Sequence, residues 1–431
     1  MANHKKTIFL IIAAGIIVRL FLFFYFLEEN KFFYDDDSFG YIELAENMRL
    51  GNGFSNPADK PDGFRTPLYP LFLLSHRIIF GSYLPALITQ ILLIGVTAYL
   101  IFIIAKDFMN RSDIGLIAAA AFLFSPFSLM VSLNFLTQTL FTVILTTAVL
   151  MWLKFLKTSQ DKYFVYSIVL FAISALTRPI AFLILAPILA SLFIYIFLTR
   201  DSHFSRRRIL MLLLVAIILF TSVMSPWLLR NYLTFGSFSL STVTYYQLYF
   251  YDLPHIYGRH QGISFQESFN LLEKNINEIS GQTINHEYAR DFAYSNLLKE
   301  RFIHYLIQMP DTTIITRAEL VFKFFIRDGI RYWIHYYQNN NDTAGLWLIS
   351  VIIERIFLFA LFIGMVIAII YGILSRNENA AIFLNVLFMV ILYFAFLTGI
   401  MASAGLRFPI EPLFLLLGLS GIDLAIKKVS K

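Results

Sequence analysis

Three consecutive aspartates, Asp35, Asp36 and Asp37, open the first polar stretch of the chain, and four arginines stand near the ends of apolar blocks far apart in sequence: Arg65, Arg178, Arg230 and Arg407. Gln138 occupies a similar border position. A carboxylate accompanied by several guanidinium groups suits an anionic ligand together with a base, because the planar fork of arginine matches a phosphate and an ionised carboxylate takes the proton of a hydroxyl. The same residues have plainer readings. The aspartates can chelate a divalent cation or cap a helix that begins at Ser38. Arg230, inside Pro226-Trp227-Leu228-Leu229-Arg230-Asn231-Tyr232, can equally anchor the chain at an interface beside Trp227. A charge at membrane depth is costly, by about 2.5 kcal/mol or more on insertion scales, so such residues tend to face a cavity and meet a partner.

Other chemistries are excluded or left without support. The chain has no cysteine, which removes disulfides, thiolate nucleophiles, Cys-ligated zinc and iron–sulfur clusters. Among eight histidines the only suggestive spacing is His255 with His260, which reads as a polar loop, so no zinc site is expected. Gly51-Asn52-Gly53 has Asn56 at the sixth position and no preceding strand, and reads as a turn rather than a dinucleotide loop. Asn341-Asp342-Thr343 is an isolated glycosylation sequon. The net charge of +6 arises from basic loops flanking the apolar blocks and carries no expectation of nucleic acid binding.

The elements that position these residues follow from composition. Of 431 residues, 14% are charged and 58% apolar, against about 25% and about 45 to 50% in soluble domains. The apolar residues fall in blocks of about 20, enough to cross a hydrocarbon layer of about 30 Å. The expected fold class is an all-α integral membrane protein, a single polytopic domain over residues 1–431 with about ten transmembrane helices. The spans read as Ile8–Leu27, Tyr83–Ala105, Ile114–Leu133, Thr137–Leu156, Phe164–Leu176, Ile180–Leu198, Ile209–Leu229, Leu346–Leu374, Ala380–Ile400 and Phe408–Ile426. The first is too long for a cleaved signal peptide and follows Lys5 and Lys6, so it is a signal anchor with its N-terminus inside. Alternation from there puts every short basic loop on the inner face: Lys106 and Arg111; Lys154, Lys157 and Lys162; Arg200 with Arg206, Arg207 and Arg208; Arg376; and Lys427, Lys428 and Lys431.

Two long outer-face loops remain, residues 28–82 and 230–345. In the first, Tyr41, Leu44, Ala45 and Met48 recur with helical spacing opposite Glu43, Glu46, Asn47 and Arg49, which predicts an amphipathic interfacial helix ending at Gly51-Asn52-Gly53. Pro67 to Phe80 is about 14 residues long, too short to span, and is broken by His76 and Arg77, so it reads as interfacial or re-entrant. In the second loop, polar helical patterns from Ser264 to Met309 lead to Pro310 and an aromatic and basic run, Phe322 to Tyr337, that also looks interfacial.

At this point the motifs resemble a family, the type C (GT-C) integral-membrane glycosyltransferases, in the branch related to protein O-mannosyltransferases and lipid A aminoarabinose transferases. Asp37-Ser38-Phe39-Gly40-Tyr41, with Leu44-Ala45, Asn47 and Gly51-Asn52-Gly53-Phe54, is similar to that family's first outer loop, in which an aspartate four residues before a tyrosine is catalytic. Arg65-Thr66-Pro67-Leu68-Tyr69-Pro70 resembles its basic-Pro-Pro element, with Thr66 in place of the first proline. Asn134 to Phe141 resembles its second outer-loop motif, except that Gln138 stands where relatives usually carry an acid. Leu176-Thr177-Arg178-Pro179 is similar to its mid-chain arginine, Pro226 to Tyr232 with Phe235-Gly236 to its Pro-Trp…Arg-Asn-Tyr motif, and Gly405 to Pro412 to its late arginine-proline segment.

The resemblance implies transfer of a hexose or pentose from a polyprenyl-phosphate-linked donor to an acceptor glycan, lipid or protein on the outer face of the membrane, with inversion. It assigns Asp37, with Asp36 beside it, to catalysis; Arg65, Arg178, Arg230 and Arg407 to the donor phosphate; and Gln138 and Tyr41 to donor or acceptor contact. No cofactor is required by this scheme, and a divalent metal is left open because Gln138 removes a second carboxylate. The expected setting is the plasma (inner) membrane of a prokaryote, with no separate C-terminal soluble domain after the tenth span. Two other readings use the same residues: a lipid-linked-sugar transporter or flippase, which would work without glycosyl transfer and usually shows inverted repeats not found here, and a scaffold of a surface-polysaccharide assembly.

Overall fold

The computed structural model describes residues 2–28, 33–56, 60–199, 203–281, 291–333, 344–375, 378–398 and 404–429. The first apolar block forms α1 (Ala2–Tyr25), and the loop after it carries α2 (Asp36–Leu50) and α3 (Leu68–Phe80). The bundle continues through α4 (Leu84–Met109), α5 (Ser112–Phe124), α6 (Pro126–Val131), α7 (Gln138–Thr158), α8 (Asp161–Thr177), α9 (Leu185–Thr199) and α10 (Arg206–Phe235). The large loop holds α11 (Val243–Gln247), a π turn (Leu248–Asp252), α12 (Leu253–Gln261), α13 (Phe265–Ser280), α14 (Phe292–Gln308) and α15 (Pro310–Ile326). The chain closes with α16 (Ala344–Ser375), α17 (Glu378–Leu397), the single turn α18 (Ala404–Arg407) and α19 (Glu411–Val429). Among the described residues there is no strand, only one isolated bridge between Ser55 and Pro61.

Among the described residues, seven helices are long and apolar enough to cross a membrane: Asn3–Tyr25, Leu84–Met109, Gln138–Thr158, Pro179–Leu198, Arg206–Phe235, Trp347–Gly372 and Ala404–Lys428. The chain is a multi-pass membrane protein. The other three expected spans are also helical, with one correction. Phe164–Leu176 lies in the 17-residue α8, and Ala380–Ile400 overlaps the 20-residue α17. Ile114–Leu133, expected as one continuous span, is broken instead: α5 stops after 13 residues at Ser125-Pro126 and α6 begins anew. The residue before a proline is pushed toward extended backbone, and Ser125 has φ −63° and ψ 139°. Its hydroxyl then accepts from the Ser128 N–H, and the Pro126 carbonyl accepts from the Trp333 indole at 2.7 Å, so the break leaves these groups satisfied.

The basic loops meet at one end of the bundle. Arg111 pairs with Asp113 at 2.6 Å and with Asp423, which also holds Lys427 at 2.9 Å. Lys157 donates to the Asp107 carbonyl at 2.7 Å, and Arg208 reaches Asp161 at 2.7 Å and the Ser159 carbonyl at 2.6 Å. Residues from four loops and helix ends that charge alternation groups together are thus neighbours in space. Arg200, Arg376, Lys431 and the sequon at 341–343 lie outside the described residues.

The interior is aromatic, with Trp152, Phe141, Phe155 and Phe164 fully buried, and the Trp152 indole satisfied by the Ser191 hydroxyl at 3.0 Å. α16 and α19 approach so closely that Cβ atoms at Gly364, Gly418 or Gly421 would collide with backbone of the facing helix. Small residues permit this contact, which suits association where lipid supplies no hydrophobic drive.

Candidate active site

α2 begins at Asp36, two residues earlier than the expected start at Ser38. The Ser38 hydroxyl accepts from the Asp35 N–H at 3.0 Å, and the Ser38 N–H returns to the Asp35 carbonyl at 2.9 Å, which closes the first turn. Asp37 and Tyr41, four residues apart, therefore share a face. On the buried side Leu44 and Ala45 enter the core, as their spacing predicts. Gly51, at φ 89°, ends the helix in a conformation that favours glycine.

The loop after α2 is folded around polar backbone contacts that carry Arg65 back to Asp37. Asn47 donates to the carbonyls of Ser55 and Asn56 at 2.9 and 2.8 Å. The Asp62 carboxylate accepts from the N–H groups of Phe64 and Arg65 at 2.8 and 3.0 Å. The Thr66 hydroxyl donates to the Thr177 carbonyl at the end of α8 at 2.9 Å, and the Thr242 N–H donates to the Gly63 carbonyl at 2.9 Å. Three other stretches of sequence, at Asn47, Thr177 and Thr242, thus fix one loop.

Arg65 then donates from Nη2 to Asp37 Oδ1 at 2.8 Å and from Nη1 to the Tyr41 hydroxyl at 3.0 Å, while its guanidinium lies 4.4 Å from the centre of the Tyr41 ring. Burial disfavours the Arg65 charge, but Tyr41, Asp37 and Asp62 outweigh it and raise the pKa above that of a free arginine. The Arg65 side chain is 16% exposed and that of Asp37 63%. The cation is therefore held in place while the carboxylate stays open to an incoming molecule.

Arg178 joins this group from α8. Pro179 forces Arg178 into extended backbone, φ −142° and ψ 124°, which ends the helix and turns the chain at the same end of the bundle. It lies within electrostatic reach of Tyr41, Asp37 and Arg65, donates to the Thr137 hydroxyl at 3.3 Å, and sits 5.9 Å from the Phe141 ring centre. Gln138, next to Thr137 at the start of α7, has its side-chain oxygen buried without a hydrogen-bond partner. The side chain of Asp36 is outside the described residues.

The other two arginines are placed differently. Arg230 donates to the Asp62 and Phe54 carbonyls at 2.8 Å each, and its guanidinium lies among the rings of Trp227, Phe235 and Phe54. It braces the loop that presents Arg65. Arg407 is 1% exposed and donates to the carbonyls of Phe324, Phe325 and Arg327 at 3.2, 3.4 and 2.6 Å, near Glu411, Glu354 and Asp328. That cluster contains Arg331 and Arg355 on Asp328, and Glu354 accepting from the Gly329 and Ile330 N–H groups. Among the described residues no group of three or more His, Asp or Glu side chains converges to hold a metal ion.

A buried polar chain leads into the site from residues that motif reading passes over. Arg19, fully buried in α1, donates to the Ser132 and Ser128 hydroxyls at 3.1 and 2.7 Å and to the Gly15 and Leu123 carbonyls at 3.0 and 2.7 Å. Gln90 donates to the Asn134 carbonyl at 2.9 Å and accepts from the Tyr69 hydroxyl at 2.8 Å. Tyr69 packs edge-on against Tyr41, ring centres 5.1 Å apart. The available signal was polarity alone: Arg19 and Gln90 are lone polar side chains inside apolar blocks.

Residues 60–227 match the family model described as dolichyl-phosphate-mannose-protein mannosyltransferase. That segment is less than half of the chain; it includes Arg65, Gln138 and Arg178 and excludes Asp37. No curated protein matches the chain. Among solved structures, the apo oligosaccharyltransferase of Archaeoglobus fulgidus aligns over 99% of this chain with a TM-score of 0.53 and 12% identity. The fold is that of the type C glycosyltransferases. The chain spans about half of the archaeal enzyme, 51% of its length. The ArnT of Cupriavidus metallidurans, in a structure bound to undecaprenyl phosphate, is also similar, at 13% identity and a TM-score of 0.44 over 96% of this chain and 78% of ArnT. The motifs that resemble the GT-C family in sequence, from the Asp-rich turn to Arg178, converge at one end of this bundle.

Proposed function

We propose that the protein is a glycosyltransferase that moves a sugar from a polyprenyl-phosphate donor to an acceptor hydroxyl, at a site on the outer face of the membrane. The observation that carries this reading is the exposed Asp37 carboxylate held by a buried Arg65 with Arg178 behind it. The family match over residues 60–227, whose description names a dolichyl-phosphate-linked donor, supports the donor class. The basic loops gathered at the opposite end of the bundle support the outer face.

In this scheme the acceptor oxygen attacks the anomeric carbon, its proton passes to Asp37, and the bond from the anomeric carbon to the lipid phosphate oxygen breaks. The leaving group is polyprenyl phosphate, whose growing negative charge Arg65 and Arg178 stabilise. Attack from the face opposite the leaving phosphate inverts the anomeric centre. Tyr41 holds the Arg65 fork, and Arg230 and Arg407 act by holding backbone rather than by touching the donor.

The test is to incubate the purified protein in liposomes with a panel of polyprenyl-phosphate hexoses and pentoses and a set of candidate acceptors. Release of free polyprenyl phosphate that depends on Asp37 supports the reading. Movement of intact lipid-linked sugar across the bilayer without such release would replace it with transport.

A further inference from the structure

Within the apolar part of α1 stands one charged side chain, Arg19, and it is fully buried. Its Nε donates to the Ser132 hydroxyl at 3.1 Å, Nη1 to the Gly15 carbonyl at 3.0 Å, and Nη2 to the Leu123 carbonyl and the Ser128 hydroxyl, both at 2.7 Å. None of these four acceptors is charged. A guanidinium held inside the bundle by neutral groups is costly, and a neutral side chain would satisfy any one of the four at a smaller desolvation cost. What the five-donor fork adds is a simultaneous grip on α1, on the end of α5, on α6 and on the residue that follows α6.

That grip falls on the break between α5 and α6. A continuous α-helix would pair the Leu123 carbonyl with the Phe127 N–H, four residues on. The extended backbone at Ser125 removes that partner and Arg19 supplies another, with its charge at a helix C-terminus, the end that favours a cation. The stretch that follows α6 then reaches three parts of the site by separate contacts. Gln90, which holds the Tyr69 hydroxyl beside Tyr41, donates to the Ser132 carbonyl at 3.4 Å and to the Asn134 carbonyl at 2.9 Å. The Phe135 N–H donates at 3.1 Å to the carbonyl of Phe33, just ahead of the Asp-rich turn, and the Phe135 ring centre lies 5.3 Å from that of Tyr34. The Thr137 hydroxyl accepts from Arg178 at 3.3 Å. The stretch from Ser132 to Thr137 is thus the common support of the Asp-rich turn, the Tyr41–Arg65 pair and Arg178.

We propose that Arg19 is a positioning residue for glycosyl transfer: by holding α6 and Ser132 it sets the course of the Ser132–Thr137 stretch, and through it the spacing between Asp37 and the two arginines, Arg65 and Arg178. The proposal rests on the glycosyl-transfer reading. Arg19 touches neither donor nor acceptor and acts over the contacts above, so its loss moves the proton acceptor and the phosphate cations out of mutual alignment and deletes none of them. A misplacement of about 1 Å costs about a hundredfold in rate. The transition state, in which base and cations act at once, loses most, and the bound ground state less.

The experiment uses the full-length protein in nanodiscs with a polyprenyl-phosphate sugar that the wild type cleaves, and reads kcat and KM per folded protein together with the melting temperature with and without polyprenyl phosphate. Arg19→Gln is expected to lower kcat about ten- to a hundredfold with KM within about threefold of wild type, and polyprenyl phosphate should still raise its melting temperature. Arg19→Lys keeps the charge, but an ammonium with three donors does not span the four acceptors, so it should not restore kcat. Ser132→Ala leaves Arg19 three of its four hydrogen bonds and should show a smaller loss of kcat. Added to Arg19→Gln it should cost little more, since both changes act on one contact. A lower melting temperature with wild-type kcat in folded Arg19→Gln would make the residue structural and overturn the proposal, as would full kcat in Arg19→Lys or additive losses in the double variant. Should Arg19→Gln not fold, wild-type kcat in Ser132→Ala overturns it alone. A wild type that releases no polyprenyl phosphate from any donor sinks the glycosyl-transfer reading and this role with it, whereas a cleaving wild type with undiminished Arg19→Gln sinks the role only.

Discussion

The guanidinium of Arg65 meets the carboxylate of Asp37 at 2.8 Å although 28 residues separate them. The contact ties the residue proposed to accept the proton to the residue proposed to hold the phosphate. It also explains why the Asp-rich turn precedes a tightly pinned loop: without the Asp62 turn, the Thr66 contact to α8 and the Arg230 brace, Arg65 would have no fixed position from which to reach Asp37. An arginine has five N–H donors in a planar fork, so one guanidinium can hold Asp37 and Tyr41 and still present donors to a phosphate.

Asp37→Asn is expected to lower turnover by about 10²- to 10⁴-fold, the usual effect of removing a general base, with expression and donor binding close to wild type. Arg65→Lys keeps the charge but loses the fork, so it should be partly active, and Arg65→Ala should lose more. The measurement is turnover together with the shift in melting temperature on adding polyprenyl phosphate. Equal shifts in wild type and Arg65→Ala would mean that Arg65 is not a phosphate ligand.

Tyr69→Phe removes the hydroxyl that joins Gln90 and leaves the Gln90 oxygen buried without that partner, at a cost of about 1 to 3 kcal/mol in stability. Because Tyr69 packs against Tyr41, and Tyr41 accepts from Arg65, the variant should lose kcat more than it raises KM if it acts by displacing the Arg65 fork. A fall in stability with unchanged kcat would make the Tyr69–Gln90 pair purely structural.

The bundle was readable from the sequence because apolar length and basic loops are local signals: each span announces itself, and Arg111, Lys157 and Arg208 do meet partners from neighbouring loops of the same face. The break at Ser125-Pro126 was harder, since apolar content continues across it and only the proline marks it. For the candidate site, sidedness puts Arg65, Arg178, Arg230 and Arg407 at one end but says nothing of lateral position. Arg407 is committed to carbonyls near Phe325 and Arg230 to those of Phe54 and Asp62, contacts between segments that no local pattern links.

Arg230→Ala should therefore behave as a packing defect. It removes two hydrogen bonds to loop carbonyls and the contacts with Trp227 and Phe54, so the melting temperature without ligand should fall, while polyprenyl phosphate should still raise it as in wild type. Hydrogen bonds to a charged donor are worth about 1.5 to 3 kcal/mol each. A variant with normal stability and no response to polyprenyl phosphate would return Arg230 to the donor site.

The direction of the bundle is open to a direct check, because the chain has no native cysteine. A cysteine at Lys60, exposed in the loop that carries Arg65, should react with an impermeant thiol reagent applied from outside. One at Ser205, which caps α10 beside the basic end, should not. Labelling of Ser205→Cys from outside would invert the topology and place the site on the inner face.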